Sequence, residues 1–278
     1  MNVAIVATVM PGIASGSVLP TAVFTEPDKA LVYAKQYRDL GASSGKAGFS
    51  SQGLLCVDAS GTGGKMKFGI DRLLADPTLR APLEGRRVAL LAHPASLTNN
   101  LTHTLDALVG AGVNVSAAFG PQHGLRGDKQ DNMVESPDFN DPIHGIPVFS
   151  LYGEVRRPTE QMMASFDTVL IDLQDLGCRI YTFITTLRYM LEAAAAHGKS
   201  VWVLDRPNPA GRPVEGLTLR QGWESFVGAG AMPMRHGMTL GELGHWFIDT
   251  LGLDVDYQLI AMEGYDPGAA PGFGWPLG

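Results

Sequence analysis

The chain has 278 residues, of which 45% are hydrophobic and 18% charged. That is enough apolar content for a large core and for one or two domains. Its net charge of −7 at pH 7 excludes a general affinity for nucleic acid or anionic membranes, which are drawn to cationic surfaces, and leaves small-molecule, carbohydrate or protein partners.

The opening "MNVAIVATVMPGIASGSVLP" has a short apolar core. It lacks the basic n-region and clear cleavage site of a secretory signal, so a cytoplasmic location is favoured, with an exported or periplasmic one left open. No apolar run reaches the roughly 18 to 20 residues of a membrane span. Residues 1–65 are rich in Gly, Ser and Ala and read as a flexible or mis-annotated leader. The ordered protein is then expected to start near Met66, in "MKFGIDRLL". The "GTGGK" before it fails as a phosphate loop: the first glycine is missing at the required distance, and Met66 stands where Ser or Thr would hold the metal. Cys56 and Cys178 lie far apart without partners at metal or redox spacing, and are expected to be one loop thiol and one buried thiol rather than a disulfide.

From Arg86 onward, short apolar or β-branched runs alternate with stretches of helical period. "RRVALLAH" reads as a buried strand, and "NLTHTLDALVGAG" as a helix with Leu101, Leu105 and Leu108 on one face. "VNVSAAFG" and "IPVFSLYG" are the next strands, followed by "PTEQMMASF" as a helix with Pro158 near its first turn and Met162 and Met163 in the core. Then come the strand "DTVLIDLQD", the helix "TFITTLRYMLEAAAAHG", the strand "SVWVLDRPNP", the helix "TLGELGHWFIDTLG" and the strand "DYQLIAME". The alternation predicts an α/β fold with a Rossmann-like open parallel sheet. Residues 66–235 form its main domain, and 236–278 are the final helix and strand leading into a second, smaller subdomain of which only the start is present. No GxGxxG follows the first strand, which argues against a dinucleotide.

Ligands of such sheets gather beyond the carboxyl ends of the strands. Four polar clusters fall there: "GPQHGLRGDKQDN", "YGEVRRPT", "QDLGCRIYT" and "DRPNP". Each residue also has a structural reading. His123 suits a loop making one backbone hydrogen bond. Asp175 suits a helix cap with Arg179 as its counter-ion. Asp205, Arg206 and Asn208 suit a rigid Asx turn, and Glu242 suits a capping box with Thr239. Carboxylates with arginines and a histidine in one cleft fit acid–base work on a polar substrate, and glycoside hydrolysis needs two carboxyl groups. Asp172, Asp175, Glu215 and Glu242 are the candidates, and spacing does not choose among them. A serine hydrolase is disfavoured because no G-x-S-x-G occurs. His123, His144 and His236 lie far apart with no HExxH, so a zinc enzyme has little support.

"FGPQHGLRG", "PVFSLYG", "IDLQDLGCRIYTFITT", "VLDRPNPAGRPVEG", "SFVG" and "MRHGMTLGEL" occur in this order and resemble the exo-β-N-acetylmuramidases, from about Phe68 to the C-terminus. The resemblance implies a Rossmann-like domain with a smaller subdomain and a site in the cleft between them. It also implies removal of N-acetylmuramic acid from the non-reducing ends of peptidoglycan fragments, without a cofactor or metal. Gln122, His123, Asp175 and Glu242 are then the catalytic candidates. Arg126, Tyr152, Asp172, Gln174, Arg179, Tyr181, Asp205, Arg206, Asn208, Glu215 and His236 are the substrate-binding ones.

Two departures stand out. The family carries Glu in a "PEHG" motif where this chain has Gln122, and an amide cannot deliver a proton as a carboxylic acid does. Either Glu242, Glu215 or Asp175 takes that role, or this branch acts on another bond, or it binds sugar without cleaving it. The family also continues beyond "AMEGYDPGAAPGFGWPLG", so a truncated chain lacking one wall of the cleft is expected.

Overall fold

The computed structural model describes residues 66–126 and 135–266, together with the backbone of four short strands nearer the N-terminus. The chain divides into two compact units, Met1–Lys65 with Trp275–Gly278, and Met66–Gly274. In the first, β1 (Ile5–Ala7) pairs antiparallel with β2 (Ala22–Phe24), and β3 (Lys46–Phe49) with β4 (Leu55–Asp58). The rest of that unit, with "GTGGK", the side chain of Cys56 and so most of the expected leader, lies outside the described residues, as do 127–134 and 267–278.

The second unit begins with α1 (Gly69–Ala75), α2 (Pro77–Arg80) and a 3-10 turn. There follow β5 (Val88–Ala92), α3 (Thr104–Gly110), β6 (Val115–Gly120), β7 (Phe139–Asn140), β8 (Pro147–Ser150) and α4 (Glu160–Met163). The unit closes with β9 (Thr168–Asp172), α5 (Thr182–His197), β10 (Ser200–Leu204), α6 (Leu240–Leu251) and β11 (Tyr257–Ile260). The sheet order is β11-β10-β9-β5-β6-β8-β7. All neighbours are parallel except β7, which runs antiparallel to β8. The Rossmann-like parallel sheet is as expected, with one antiparallel addition at its edge, where the two-residue β7 leads into β8 without a crossover helix.

Both faces of the sheet are covered, and strand alternation divides the core accordingly. Leu90, Leu170 and Trp202 point to one face with Ile70, Leu73, Leu105 and Leu108. Leu91, Ile171 and Val203 point to the other with Phe119, Phe166, Leu187, Met190 and Phe247. Met162 and Met163 lie in this second cluster, as expected. Their helix α4 is a single turn started by Thr159, so Pro158 precedes the cap rather than opening the helix. The final helix and strand complete this same sheet: β11 pairs with β10, and α6 packs its Leu243 and Phe247 into the core.

The polarity of the crossovers reverses between β5 and β9. From β5 the chain builds outward through β6 and β8, and from β9 it builds the other way through β10 and β11. This topological switch point opens a crevice beyond the strand ends, bordered by the segments after Ala92, Gly120, Asp172 and Leu204.

Candidate active site

The crevice floor is a fixed polar network. Asp172, the last residue of β9, is fully buried and accepts from Arg206 Nε (2.5 Å), Arg206 Nη2 (2.9 Å) and Thr104 Oγ1 (2.5 Å). Arg206 also donates to the Leu97 carbonyl at 2.7 Å and stacks on the Phe68 ring. Both Asp172 oxygens and the Nε and Nη2 of Arg206 are engaged within the fold, so the pair joins β9, the segment after β10, α3 and the segment after β5. A buried pair is costly to break because the surviving charge has no water.

His93 follows β5 directly, at the switch point, and is a member that sequence reasoning missed. Gln174 N–H donates to its Nε2 at 3.0 Å, and Phe183 packs against the ring at 4.6 Å. Burial pushes its pKa down to about 3, against the pull of the Asp172 charge, so it is a neutral acceptor. The only signal in the sequence was its place at the end of the apolar run "VALLAH", where it reads as the strand's final residue.

Gln174 and Asp175 turn the chain beyond β9. The Gln174 amide donates to the Asp175 and Pro207 carbonyls at 2.7 and 2.9 Å, clamping the turn to the loop after β10. Asp175 Oδ2 accepts from Gly177 N at 2.7 Å and lies 3.1 Å from His236 Nε2. The His236 ring is buried, and its Nδ1 accepts from Met238 N at 3.2 Å. Asp175 Oδ1 is buried and has no hydrogen-bond partner among the described residues, an arrangement that costs about 1–3 kcal/mol unless a donor arrives. Asp175 does not cap α5 as expected: the N-cap position belongs to Tyr181, whose side chain makes no capping bond. Arg179 is not its counter-ion either, since its Nη1 donates to the carbonyls of Leu217 and Met232, each at 2.7 Å. Both expectations rested on sequence adjacency, and the turn at Gly177 (φ 76°) carries the chain away from a straight helix entry.

Gln122 and His123 follow β6. His123 sits in the left-handed region (φ 74°), between Gln122 and Gly124. Thr182, the first residue of α5, donates from Oγ1 to Gln122 Oε1 at 3.0 Å. Its neighbour Tyr181 packs on Phe183, and its phenol pKa is raised by burial and then by the Asp175 charge. Gln122 and Asp175 thus follow β6 and β9, the two strands that flank β5, and the start of α5 meets Gln122 through Thr182.

The remaining candidates are engaged elsewhere. Arg126 is bidentate with Asp106 (2.8 and 3.0 Å) and reaches Asp141 at 3.0 Å. Tyr152 lies under the Arg156 guanidinium, 4.1 Å from ring centroid to Cζ. Asp205 accepts from Thr239 Oγ1 and Gly241 N at 2.8 and 2.9 Å, fixing the start of α6, and burial pushes its pKa up to about 6. Asn208 makes the Asx turn, accepting from Ala210 N at 2.8 Å, and its amide donates to the Met238 carbonyl. Glu215 is solvent-exposed and paired with Arg235 at 2.7 Å. Glu242 completes the capping box with Thr239 and is bidentate with Arg212. Burial alone would raise its pKa, but Arg212 and the Thr239 N–H hold it below the usual carboxylate range. Cys178 is part-exposed, not buried, with Sγ 3.6 Å from Met234 Sδ. No helix among the described residues is long and apolar enough to cross a membrane, and no group of three or more His, Cys, Asp or Glu side chains among them is placed to hold a metal ion.

Comparison with known proteins adds the lineage of this crevice. Residues 88–275 match the family model described as "Exo-beta-N-acetylmuramidase NamZ, N-terminal". The chain is 40% identical over 201 residues to the peptidoglycan beta-N-acetylmuramidase NamZ of Bacillus subtilis (strain 168), a match covering 72% of this chain and 48% of that protein. Two crystal structures of DUF1343 family proteins from Bacteroides fragilis NCTC 9343 superpose with TM-scores of 0.68 and 0.62 at 36% and 30% identity. They cover 76% and 74% of this chain and 54% of each of theirs. The chain therefore spans about half the length of the relatives it matches.

Proposed function

Given that the chain belongs to the exo-β-N-acetylmuramidase family through that family's N-terminal region, we propose that it is a glycoside hydrolase releasing N-acetylmuramic acid from the non-reducing ends of peptidoglycan fragments, with Asp175 as its carboxyl group. The observation carrying this reading is the Asp175 carboxyl itself: it lies beside the switch point with one oxygen held and the other unpartnered among the described residues. Of the other candidates, Glu242 is used by a helix cap and Arg212, Glu215 is exposed on Arg235, and Asp172 is saturated by Arg206 and Thr104. Cleaving a glycosidic bond needs a carboxyl group either to protonate the leaving oxygen or to face the sugar cation, and Asp175 is the group left to meet that need. The test is incubation with a disaccharide carrying N-acetylmuramic acid at its non-reducing end, followed by detection of the free sugar. Release supports the reading, and its absence from folded protein counts against hydrolysis.

One observation favours a second reading, sugar binding without cleavage or with weakened cleavage. Gln122 Oε1 accepts from Thr182, and what remains of the side chain is an amide NH2, which donates but supplies no acid. Binding of the disaccharide without release would favour this reading.

A further inference from the structure

The Asp175 carboxyl is held from several sides. Gln174 fixes its backbone carbonyl and ties the turn to Pro207. Gly177, at φ 76°, donates to Oδ2, and a Cβ at Gly177 would collide with Asn208 Oδ1 and Ala210 Cβ. The turn therefore accepts no bulkier residue without moving the Asx loop after β10. His236 reaches the same carboxyl from the segment that enters α6. Because its Nδ1 accepts from the Met238 amide, the ring's donor is Nε2, the atom 3.1 Å from Asp175 Oδ2.

The two contacts to the carboxyl itself, from Gly177 and His236, fall on one oxygen. Oδ2 accepts from the Gly177 amide and is faced by the His236 imidazole at 3.1 Å, a contact not aligned as a hydrogen bond, so that His236 Nε2 and the equally buried Oδ1 both lack a hydrogen-bond partner among the described residues; such contacts are often misaligned in an unliganded site and tighten in the complex. A buried acceptor without a donor calls for a group from outside the fold. We infer that His236 is a positioning residue for Asp175: standing 3.1 Å from Oδ2, it closes onto that oxygen as the sugar binds, fixes the carboxyl plane, and leaves Oδ1 to accept from a neutral donor of the sugar, a hydroxyl or the acetamido N–H. Oδ1 offers lone pairs in a buried place, so it selects donors and turns away an anionic substituent. His236 touches no reacting atom. The inference rests on the muramic-acid reading above and assigns the part of that site that reads a sugar donor.

The test uses the full chain with 15N-labelled histidine and N-acetylmuramic acid as the probe, His236 being identified by the signal lost in His236→Gln. The ring is expected as the Nε2–H tautomer, and its Nε2 signal is expected to shift as the sugar saturates the site. His236→Ala should weaken binding roughly tenfold, in line with a lost hydrogen bond to a charged group. His236→Gln, whose side-chain amide can restore a donor to Oδ2, should recover most of the affinity, and Asp175→Asn should lose it. Thermal melts separate these effects from unfolding. Sugar binding that moves signals near Gln122 but leaves His236 still, or a folded His236→Ala protein that binds like wild type, would overturn the inference and leave the muramic-acid reading standing. No binding by the folded wild type would overturn both.

Discussion

Thr182 Oγ1 donates to Gln122 Oε1 across 3.0 Å, so the first residue of α5 holds the oxygen end of the Gln122 amide. The same hydroxyl can donate to a carboxylate. The start of a 16-residue helix is also a favourable place for negative charge. Gln122→Glu should therefore fold normally and give the crevice a second carboxyl group. Release of N-acetylmuramic acid is expected to rise roughly tenfold or more. Release unchanged or reduced would show that the amide already has a working role.

Asp172 and Arg206 form a buried ion pair whose loss leaves a charge without water. Asp172→Ala should lower stability by about 3–5 kcal/mol, read from urea denaturation. A loss below about 1 kcal/mol would contradict the structural role given to this pair.

Asp205 carries the pH prediction. Its folded pKa is raised to about 6 by burial, above the ordinary unfolded value of about 3.9. The folded state thus holds the proton more tightly between those values. This contribution is fully present below about pH 4, falls as pH rises through about 6, and is flat above. Asp205→Asn, which stays neutral, should gain on wild type by up to about 3 kcal/mol between pH 4 and pH 7. The carboxylates with lowered pKa values, Asp106 held down by Arg126 and Asp167 by Arg87, act in the opposite direction in both proteins and cancel in the difference. A wild-type-minus-variant difference independent of pH would contradict the assignment.

Glu242 separates a structural carboxylate from a functional one. It completes the α6 capping box and pairs with Arg212. Glu242→Gln should cost about 1 kcal/mol of stability and leave sugar binding intact. Binding lost at full stability would return Glu242 to the site.

Much of this was legible in the sequence because the signals were local. Apolar runs such as "VALLA" and "VWVL" become fully buried strands, and Thr239 with Glu242 forms the capping box its spacing announces. The crevice was legible as a set of strand ends, since Gln122, Asp175 and Asn208 all follow strands directly. What stayed hidden were relations between segments far apart in the chain. His93 meets Gln174 across 81 positions and Asp172 meets Arg206 across 34, and no periodicity encodes either. The division among the carboxylates was hidden for the same reason: Glu215, Glu242 and Asp172 are set apart from Asp175 by Arg235, Arg212 and Arg206, partners that only the fold brings together.

The most direct test of the central claim compares wild type, Asp175→Asn and Glu242→Gln for release of N-acetylmuramic acid from the muramic-acid-terminated disaccharide. The account predicts release by wild type, comparable release by Glu242→Gln, and a drop of roughly a hundredfold or more in Asp175→Asn. Equal release by Asp175→Asn, with the loss falling instead on Glu242→Gln, would contradict it.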